Sequence, residues 1–266
     1  MNGPSKLLET EDNWTTKMGA WFAGERVVFR GQDLHVDLKD MSWMELYVYS
    51  ITGRRFTENQ LKVLNAIWTS TSYPEPRLWN NRVTALAGTA RSTPTLALSA
   101  GMALSEATIY GHRPNVHAID FLFRAREAIG QGAELLDLIK SELRERRVIG
   151  GYGRPLFRSD ERIPHMVKLI KEMGMDKGYF TSLAFDIEKI LLEGRWRFQM
   201  NITGLDAALA ADMGFSVREY HLFVTPAFIA GMPPCFQDTN EKTEGTFFPL
   251  RCDRIQYEGL KQRNWK

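Results

Sequence analysis

A glycine-rich turn lies between two helical segments, and it constrains the fold more than any other stretch of the chain. Residues 149–156 read IGGYGRPL, and an Asp-Glu-Arg triplet follows at 160–162. The glycines do not predict a phosphate-binding loop, because no strand–loop–lysine context surrounds them. Arg154 keeps its proton at every physiological pH, so it cannot exchange one as a histidine does. The turn therefore indicates a fold without indicating proton-transfer chemistry.

Helical periodicity dominates most of the chain. Apolar residues recur at helical spacing, opposite charged residues, in three amphipathic segments: residues 133–147, 163–173 and 180–192. Thr57 and Gln60 form a capping box in front of another helical pattern. Residues 94–107 and 206–213 are rich in small side chains, which let helices approach each other closely. These patterns predict a mostly α fold.

Strand-like residues occur near the N-terminus. The β-favouring runs 26–30 and 34–38 flank a Gly-Gln-Asp turn, which predicts a short hairpin. Before it, residues 1–17 are polar and irregular and predict a loosely docked arm. Towards the other end, Pro233-Pro234 predicts a break, and residues 237–246 predict a polar loop.

Composition excludes several classes of partner. The chain has 266 residues with a net charge of +2, which gives no reason to expect nucleic acid or an anionic membrane. No window approaches the roughly eighteen consecutive apolar residues that a membrane helix needs. The two cysteines, Cys235 and Cys252, are too few for a disulfide framework and do not match a metal-site spacing. We therefore expect a cytoplasmic protein without a metal, and residues 1–5 do not look like a secretory signal.

Three stretches resemble the motifs of the citrate synthase family. The turn at 149–156 with the 160–162 triplet resembles the family's glycine-aromatic-glycine-histidine-proline run and the aspartate-proline-arginine that follows it. Residues 201–204, NITG, resemble the asparagine-valine-aspartate-glycine segment of short members close to citryl-CoA lyases. Residues 109–115, IYGHRPN, resemble the histidine-glycine-glycine turn. The resemblance extends from about residue 26 to residue 257.

The resemblance also implies that all three acid–base positions of the family are changed. Arg154 stands at one histidine, Thr203 at the catalytic aspartate, and Tyr110 at the other histidine, with His112 as a displaced alternative. Asp206, one helical turn after the threonine, is on the same face and could replace the lost carboxylate, or it could only cap or solvate the helix.

Two of these residues keep a structural alternative. Arg154 could bind an anion or stabilise an oxyanion, or it could form an ion pair with a neighbour such as Asp160. Tyr110 could donate a hydrogen bond to a carbonyl, or it could pack like other buried tyrosines.

The family's architecture implies a domain layout and a set of ligands. The expected layout is an N-terminal arm (1–17), a large dimerisation domain (18–111 and 215–266) and a small domain (112–214). Arg162 and Arg251 match family arginines that bind carboxylates. Gly151 and Gly153 match the turn that contributes to binding the coenzyme A thioester. The resemblance further implies a homodimer.

We therefore expect a citrate synthase-like enzyme that makes or breaks a carbon–carbon bond next to a carboxylate, with an acyl-CoA co-substrate and a divergent site. One alternative is a catalytically inactive dimeric binding or regulatory protein on the same scaffold. Another is an isomerase or dehydratase of a hydroxy acid.

Overall fold

The computed structural model of the protein describes residues 3–108, 110–154 and 159–261. The motif residues Ile109, Pro155 and Leu156 therefore lie outside the described residues. The mostly α fold is confirmed. The helices are α1 (Gly3–Thr10), α2 (Trp43–Thr52), α3 (Glu58–Thr71), α4 (Trp79–Thr89), α5 (Pro94–Leu104), α6 (His112–Gly130), α7 (Leu135–Arg146), α8 (Arg162–Glu172), α9 (Tyr179–Glu193), α10 (Ile202–Asp212), α11 (Val217–Ile229) and α12 (Met232–Asn240). Across the described ranges, no helix has both the length and the apolar character needed to cross a bilayer.

The N-terminal sheet has three antiparallel strands in sequence order. They are β1 (Gly19–Phe22), β2 (Arg26–Phe29) and β3 (Gln32–Asp33). Phe29 marks the register, because it lies opposite Gly19 on one side and Gln32 on the other. A hairpin therefore forms where it was predicted, between β2 and β3, but its second strand occupies residues that were predicted to be the turn. The longer pairing of β2 is with β1, which precedes it.

The predicted strand at residues 34–38 is wrong. Asp33 accepts hydrogen bonds from the backbone N–H groups of His35 and Val36 at 2.9 and 3.0 Å, and these bonds turn the chain. Aspartate side chains commonly compete with strand pairing in this way. The predicted polar arm likewise contains the exposed helix α1.

Backbone contacts divide the chain into two compact units. Unit 1 comprises Met1–Ser70 and His112–Ala227, and unit 2 comprises Thr71–Gly111 and Phe228–Lys266. The division into a large and a small domain stays a prediction; it shares with these units only the boundary between residues 111 and 112.

Unit 1 is built around α10. Nine of its eleven residues are buried, and the helix packs against α6, α8 and α9. Small side chains such as Ala207, Ala208 and Ala211 permit this close approach on all sides. Asp206 is the one acidic side chain among these buried residues.

Unit 2 consists mainly of α4, α5 and α12. Thr239 on α12 donates a hydrogen bond to the carbonyl of Ala85 on α4 at 2.8 Å. A Cβ on Gly88 of α4 would lie only 2.3 Å from the Thr239 Oγ1 atom, so the two helices touch at a glycine. The break predicted at Pro233-Pro234 is instead the first turn of α12, where proline is well tolerated. Of the predicted loop at 237–246, residues 237–240 are therefore helical.

Candidate functional site

The glycine turn and the N-terminus of α10 are joined by backbone hydrogen bonds within unit 1. The N–H of Asn201 donates to the carbonyl of Gly151 at 2.9 Å, and the N–H of Gly153 donates to that of Gln199 at 2.7 Å. The Asn201 side-chain amide also donates to the Gly153 carbonyl at 2.8 Å. Two of the motifs recognised in the sequence are therefore neighbours in space.

Gly151 and Gly153 have backbone geometries that favour glycine. Their φ angles are +86° and +84°, in the left-handed region. A Cβ on Gly151 would also lie 2.4 Å from the Cα of Gly204 on α10, whereas the nearest atom to a Cβ on Gly153 is a Phe198 ring carbon at 3.5 Å. The structure thus gives both glycines a backbone role, and their part in coenzyme A binding stays a prediction.

Asp160 ties the segment before α8 to α10. It is 4% exposed and accepts hydrogen bonds from the Arg162 Nε and Nη2 atoms at 2.8 and 2.7 Å and from the N–H of Ile202 at 2.9 Å. Burial alone would raise the pKa of Asp160. The hydrogen bonds and charge of Arg162, together with the Ile202 N–H, outweigh burial and lower this pKa below its usual range.

The two arginines predicted for this region both lie within ion-pair distance of Asp160. Arg162 forms the two-pronged pair and keeps 18% of its side chain exposed. The Arg154 Nη1 atom lies 2.5 Å from a Glu161 carboxylate oxygen and 3.9 Å from Asp160. Arg154 therefore has the acidic neighbours that its structural alternative requires, while 23% of its side chain stays exposed.

Thr203 lies in the first turn of α10, and its N–H is capped by the Asn201 side chain at 3.0 Å. A threonine hydroxyl does not act as a base at neutral pH without an activating partner. The bond from Asn201 caps the start of α10. Because Thr203 cannot serve as the general base, a carboxyl group for that role has to come from another residue.

Asp206 is such a carboxyl group. It is 2% exposed, and its Oδ1 atom is buried without a hydrogen-bond partner among the described residues. Burial raises the pKa of Asp206 well above its usual range; Arg162 opposes this rise and Asp160 adds to it. The structural alternative, a capping or solvated acid, does not match this burial, because Asp206 lies inside α10 and away from solvent.

Tyr220 on α11 extends the polar interior. It is fully buried and donates its hydroxyl hydrogen to the Asn115 side-chain oxygen on α6 at 3.2 Å. Burial raises the pKa of Tyr220 well above its usual range, and the nearby Asp206 carboxyl raises it further. Neither Tyr220 nor Asn115 was predicted as a site residue, although each is a polar residue on a helix with an apolar face.

His112 is the first residue of α6 and is 2% exposed. Its ring lies 5.5 Å, centroid to centroid, from the ring of His221 on α11.

Tyr110 and Arg251 lie in unit 2. Tyr110 donates its hydroxyl to the Asn80 side-chain oxygen at 3.4 Å, and the rings of Trp79 and Phe228 meet it edge-on. Arg251 is exposed and forms a two-pronged pair with Asp253 two residues later. The other seven predicted residues lie in unit 1. Six of them belong to the glycine turn, the start of α8 and the helix α10, which are joined by the hydrogen bonds above: Gly151, Gly153, Arg154, Arg162, Thr203 and Asp206.

No protein-family model and no curated protein matches the sequence. Among solved structures, the citryl-CoA lyase of Hydrogenobacter thermophilus superposes with a TM-score of 0.82 at 18% identity, over 96% of this chain and 98% of that one. The fold is that of the citrate synthases and citryl-CoA lyases. It is also similar to the ATP citrate lyase of Methanosaeta concilii in complex with (3S)-citryl-CoA, with a TM-score of 0.72 and 15% identity over 98% of this chain and 45% of that one.

A third similar structure is the citrate synthase of Thermoplasma acidophilum, in complex with carboxymethyl coenzyme A and oxaloacetate. Its TM-score is 0.63 at 14% identity, over 85% of this chain and 59% of that one. The fold expected from the sequence motifs is therefore confirmed.

Proposed function

We propose that the protein is a citrate synthase-like enzyme that makes or breaks a carbon–carbon bond next to a carboxylate, with an acyl-CoA thioester as co-substrate. One observation carries this proposal: two of the three stretches that resemble the family's motifs meet at the start of α10. Asp160 binds the N–H of Ile202, and the Asn201 side chain binds Gly153. Similar folds with citryl-CoA, coenzyme A or oxaloacetate bound support the substrate class.

Arg162 is the carboxylate-binding residue of this proposal. Asp160 holds its guanidinium group in a planar two-pronged arrangement, which fixes the orientation of the group. An ammonium group at the same place would keep the charge and lose this geometry. Arg154 supplies a second, permanent positive charge that could stabilise a developing oxyanion.

The remaining roles and properties expected from the sequence are part of this proposal. Tyr110 and His112 keep their proposed catalytic roles, Arg251 its role in carboxylate binding, and Gly151 and Gly153 theirs in thioester binding. The homodimer and the cytoplasmic location also remain predictions. Light scattering at micromolar concentration tests the dimer, and a monomer would contradict it.

The alternative is a binding or regulatory protein without catalysis. It is favoured by the ion pairs of Arg154 with Glu161 and of Arg162 with Asp160, because both cations already have acidic partners. Such a protein would bind the same carboxylates and thioesters without converting them.

The test combines turnover with binding. Purified protein is incubated with (3S)-citryl-CoA, or with acetyl-CoA and a series of 2-keto acids, and the coenzyme A products are resolved by mass spectrometry. Carboxylate binding is measured by calorimetry for wild type, Arg162→Lys and the control Arg124→Lys. Arg124 is a matched control because it is another arginine of unit 1 that pairs with carboxylates, those of Asp120 and Glu142.

We expect Arg162→Lys to weaken carboxylate binding about 10- to 100-fold, as for the loss of a charged hydrogen bond. The Arg124 variant should bind like wild type. If Arg162→Lys bound the carboxylate as tightly as the Arg124→Lys control, the assignment of the site to Arg162 would be refuted. Binding without any product would favour the regulatory alternative.

A further inference from the structure

Asp206 is a carboxyl group buried inside α10. Nine-tenths or more of its surface is shielded, and its Oδ1 atom has no hydrogen-bond partner within the described parts of the chain. Buried polar atoms in proteins are nearly always satisfied, and exceptions often mark a functional role. The residue also lies one helical turn after Thr203, on the helix whose N-terminus joins both motifs.

The surroundings of Asp206 place two carboxyl groups beside one cation. Asp160, which pairs with Arg162 at the start of α8, accepts the N–H of Ile202 at 2.9 Å, and Ile202 lies one helical turn before Asp206 on α10. The positive charge of Arg162 opposes the rise in the pKa of Asp206 that burial causes. From α11, Tyr220 lies close enough for the Asp206 carboxyl to affect its ionisation.

The other helices packed against α10 contribute their own polar groups. α6 contributes the buried His112 and Asn115. α9 contributes Glu188, whose carboxylate accepts the N–H of Met200 at 2.7 Å. Arg162 and Asp160 are the charged groups that act on Asp206 itself.

We propose that Asp206 determines whether the Arg162 site accepts a negatively charged ligand, by remaining uncharged near the Asp160–Arg162 pair. With Asp206 neutral, the single negative charge of Asp160 balances Arg162, so an incoming carboxylate meets no excess of negative charge. With Asp206 ionised, the same cluster would carry a net negative charge and repel the ligand. This inference rests on the proposed carboxylate site.

The consequence is that carboxylate binding is linked to a proton. A bound anion near Arg162 makes ionisation of Asp206 still less favourable, so the complex holds this proton to higher pH than the free protein does. Asp206 thus acts as a specificity-determining residue, through charge and without direct contact with the ligand.

The experiment uses the full chain and oxaloacetate, which is a dianion across the pH range used. Its affinity is measured by calorimetry from about pH 6 to 9, in buffers of different ionisation enthalpy, so that proton uptake is counted. The variants are Asp206→Asn, Asp206→Leu and Glu142→Gln. Glu142 is the matched control because it is a buried carboxyl group of the same unit that pairs instead with Arg124 and Arg146.

Above the pKa of Asp206 in the free protein, the affinity of wild type for oxaloacetate should fall by up to about tenfold per pH unit. Each binding event should then take up close to one proton. Asp206→Asn should keep the low-pH affinity throughout, because the amide is uncharged at every pH. Asp206→Leu provides a second uncharged variant if the amide folds poorly. Glu142→Gln should behave like wild type.

A second measurement needs no ligand. Asp206 in the unfolded chain ionises above its unshifted pKa of 3.8, whereas in the folded protein it stays protonated up to its raised pKa. Between these two pH values, the ratio of folded to unfolded wild-type protein should therefore fall about tenfold per pH unit, measured relative to the Asp206→Asn variant. Two results would overturn this inference and leave the proposed function intact. One is that the stability of wild type and of Asp206→Asn changes with pH in the same way. The other is that Asp206→Asn keeps the wild-type pH dependence of oxaloacetate binding. Diverging profiles without binding of any carboxylate would refute the proposed function, and the ligand inference with it.

Discussion

Replacing Gly151 by alanine should cost more stability than the same change at either of two other glycines with positive φ. The methyl group would sit 2.4 Å from the Gly204 Cα atom, and the Gly151 φ angle is +86°. Left-handed backbone costs a non-glycine residue roughly 1–2 kcal/mol. Carbon atoms in contact normally stay about 3.5–4.0 Å apart, so α10 must also move by more than about 1 Å. Such overpacking costs about 1–3 kcal/mol more, which gives a loss of about 2–5 kcal/mol for Gly151→Ala.

The two comparison variants separate the steric part from the backbone part. Gly153→Ala has a φ of +84° and meets its nearest atom at an ordinary 3.5 Å, and Gly132→Ala has a φ of +92° with nothing within 4 Å. In both variants the free energy of unfolding should fall only by the cost of left-handed backbone, about 1–2 kcal/mol. The assay is reversible urea unfolding followed by circular dichroism. If Gly151→Ala were no less stable than the other two variants, the contact between the glycine turn and α10 would not be as tight as described.

Three further predictions concern other parts of the molecule. Asp212→Asn should destabilise the protein by about 1–3 kcal/mol in the same unfolding assay, because Asp212 accepts hydrogen bonds from the N–H groups of Phe180 and Thr181 at the start of α9; an unchanged midpoint would show that this cap is dispensable. Thr57→Ala should cost about 1 kcal/mol, because it removes one half of the reciprocal bonds with Gln60, and Gln60→Ala should cost a similar amount. Condensation of acetyl-CoA with oxaloacetate should be slow or undetectable in a free-thiol assay, because loss of a general acid or base typically costs about a hundred- to ten-thousand-fold; robust turnover would mean that the motifs are aligned wrongly.

Local chemistry explains which elements could be predicted from the sequence. The capping box at Thr57 and Gln60 forms as expected, with bonds of 2.9 and 3.3 Å, because it depends on residues only three positions apart. The predicted strand at 34–38 fails because one side chain, that of Asp33, turns the chain locally.

The candidate site depends more on distant contacts, and the sequence indicated less of it. The motifs predicted Arg162 and drew attention to Asp206, but not the buried bond from Tyr220 to Asn115, whose partners are 105 positions apart. Asn201 carried a usable signal, because asparagine before a run of small apolar residues is a typical helix cap. Arg154 forms an ion pair with an acidic neighbour, as its structural alternative stated, but the nearer partner is Glu161 and not Asp160, which was the example given.

The order of the chain through the two units limits how the protein can be divided. Unit 1 is interrupted by residues 71–111, and the rest of unit 2 begins only at residue 228. During synthesis, α4 and α5 therefore emerge long before α12. The contact between Gly88 on α4 and Thr239 on α12 can form only after residue 239 has been made. A fragment ending at residue 227 would contain all of unit 1, but also residues 71–111 of unit 2 without the α12 that covers α4. Neither unit can therefore be produced alone by a single cut in the chain.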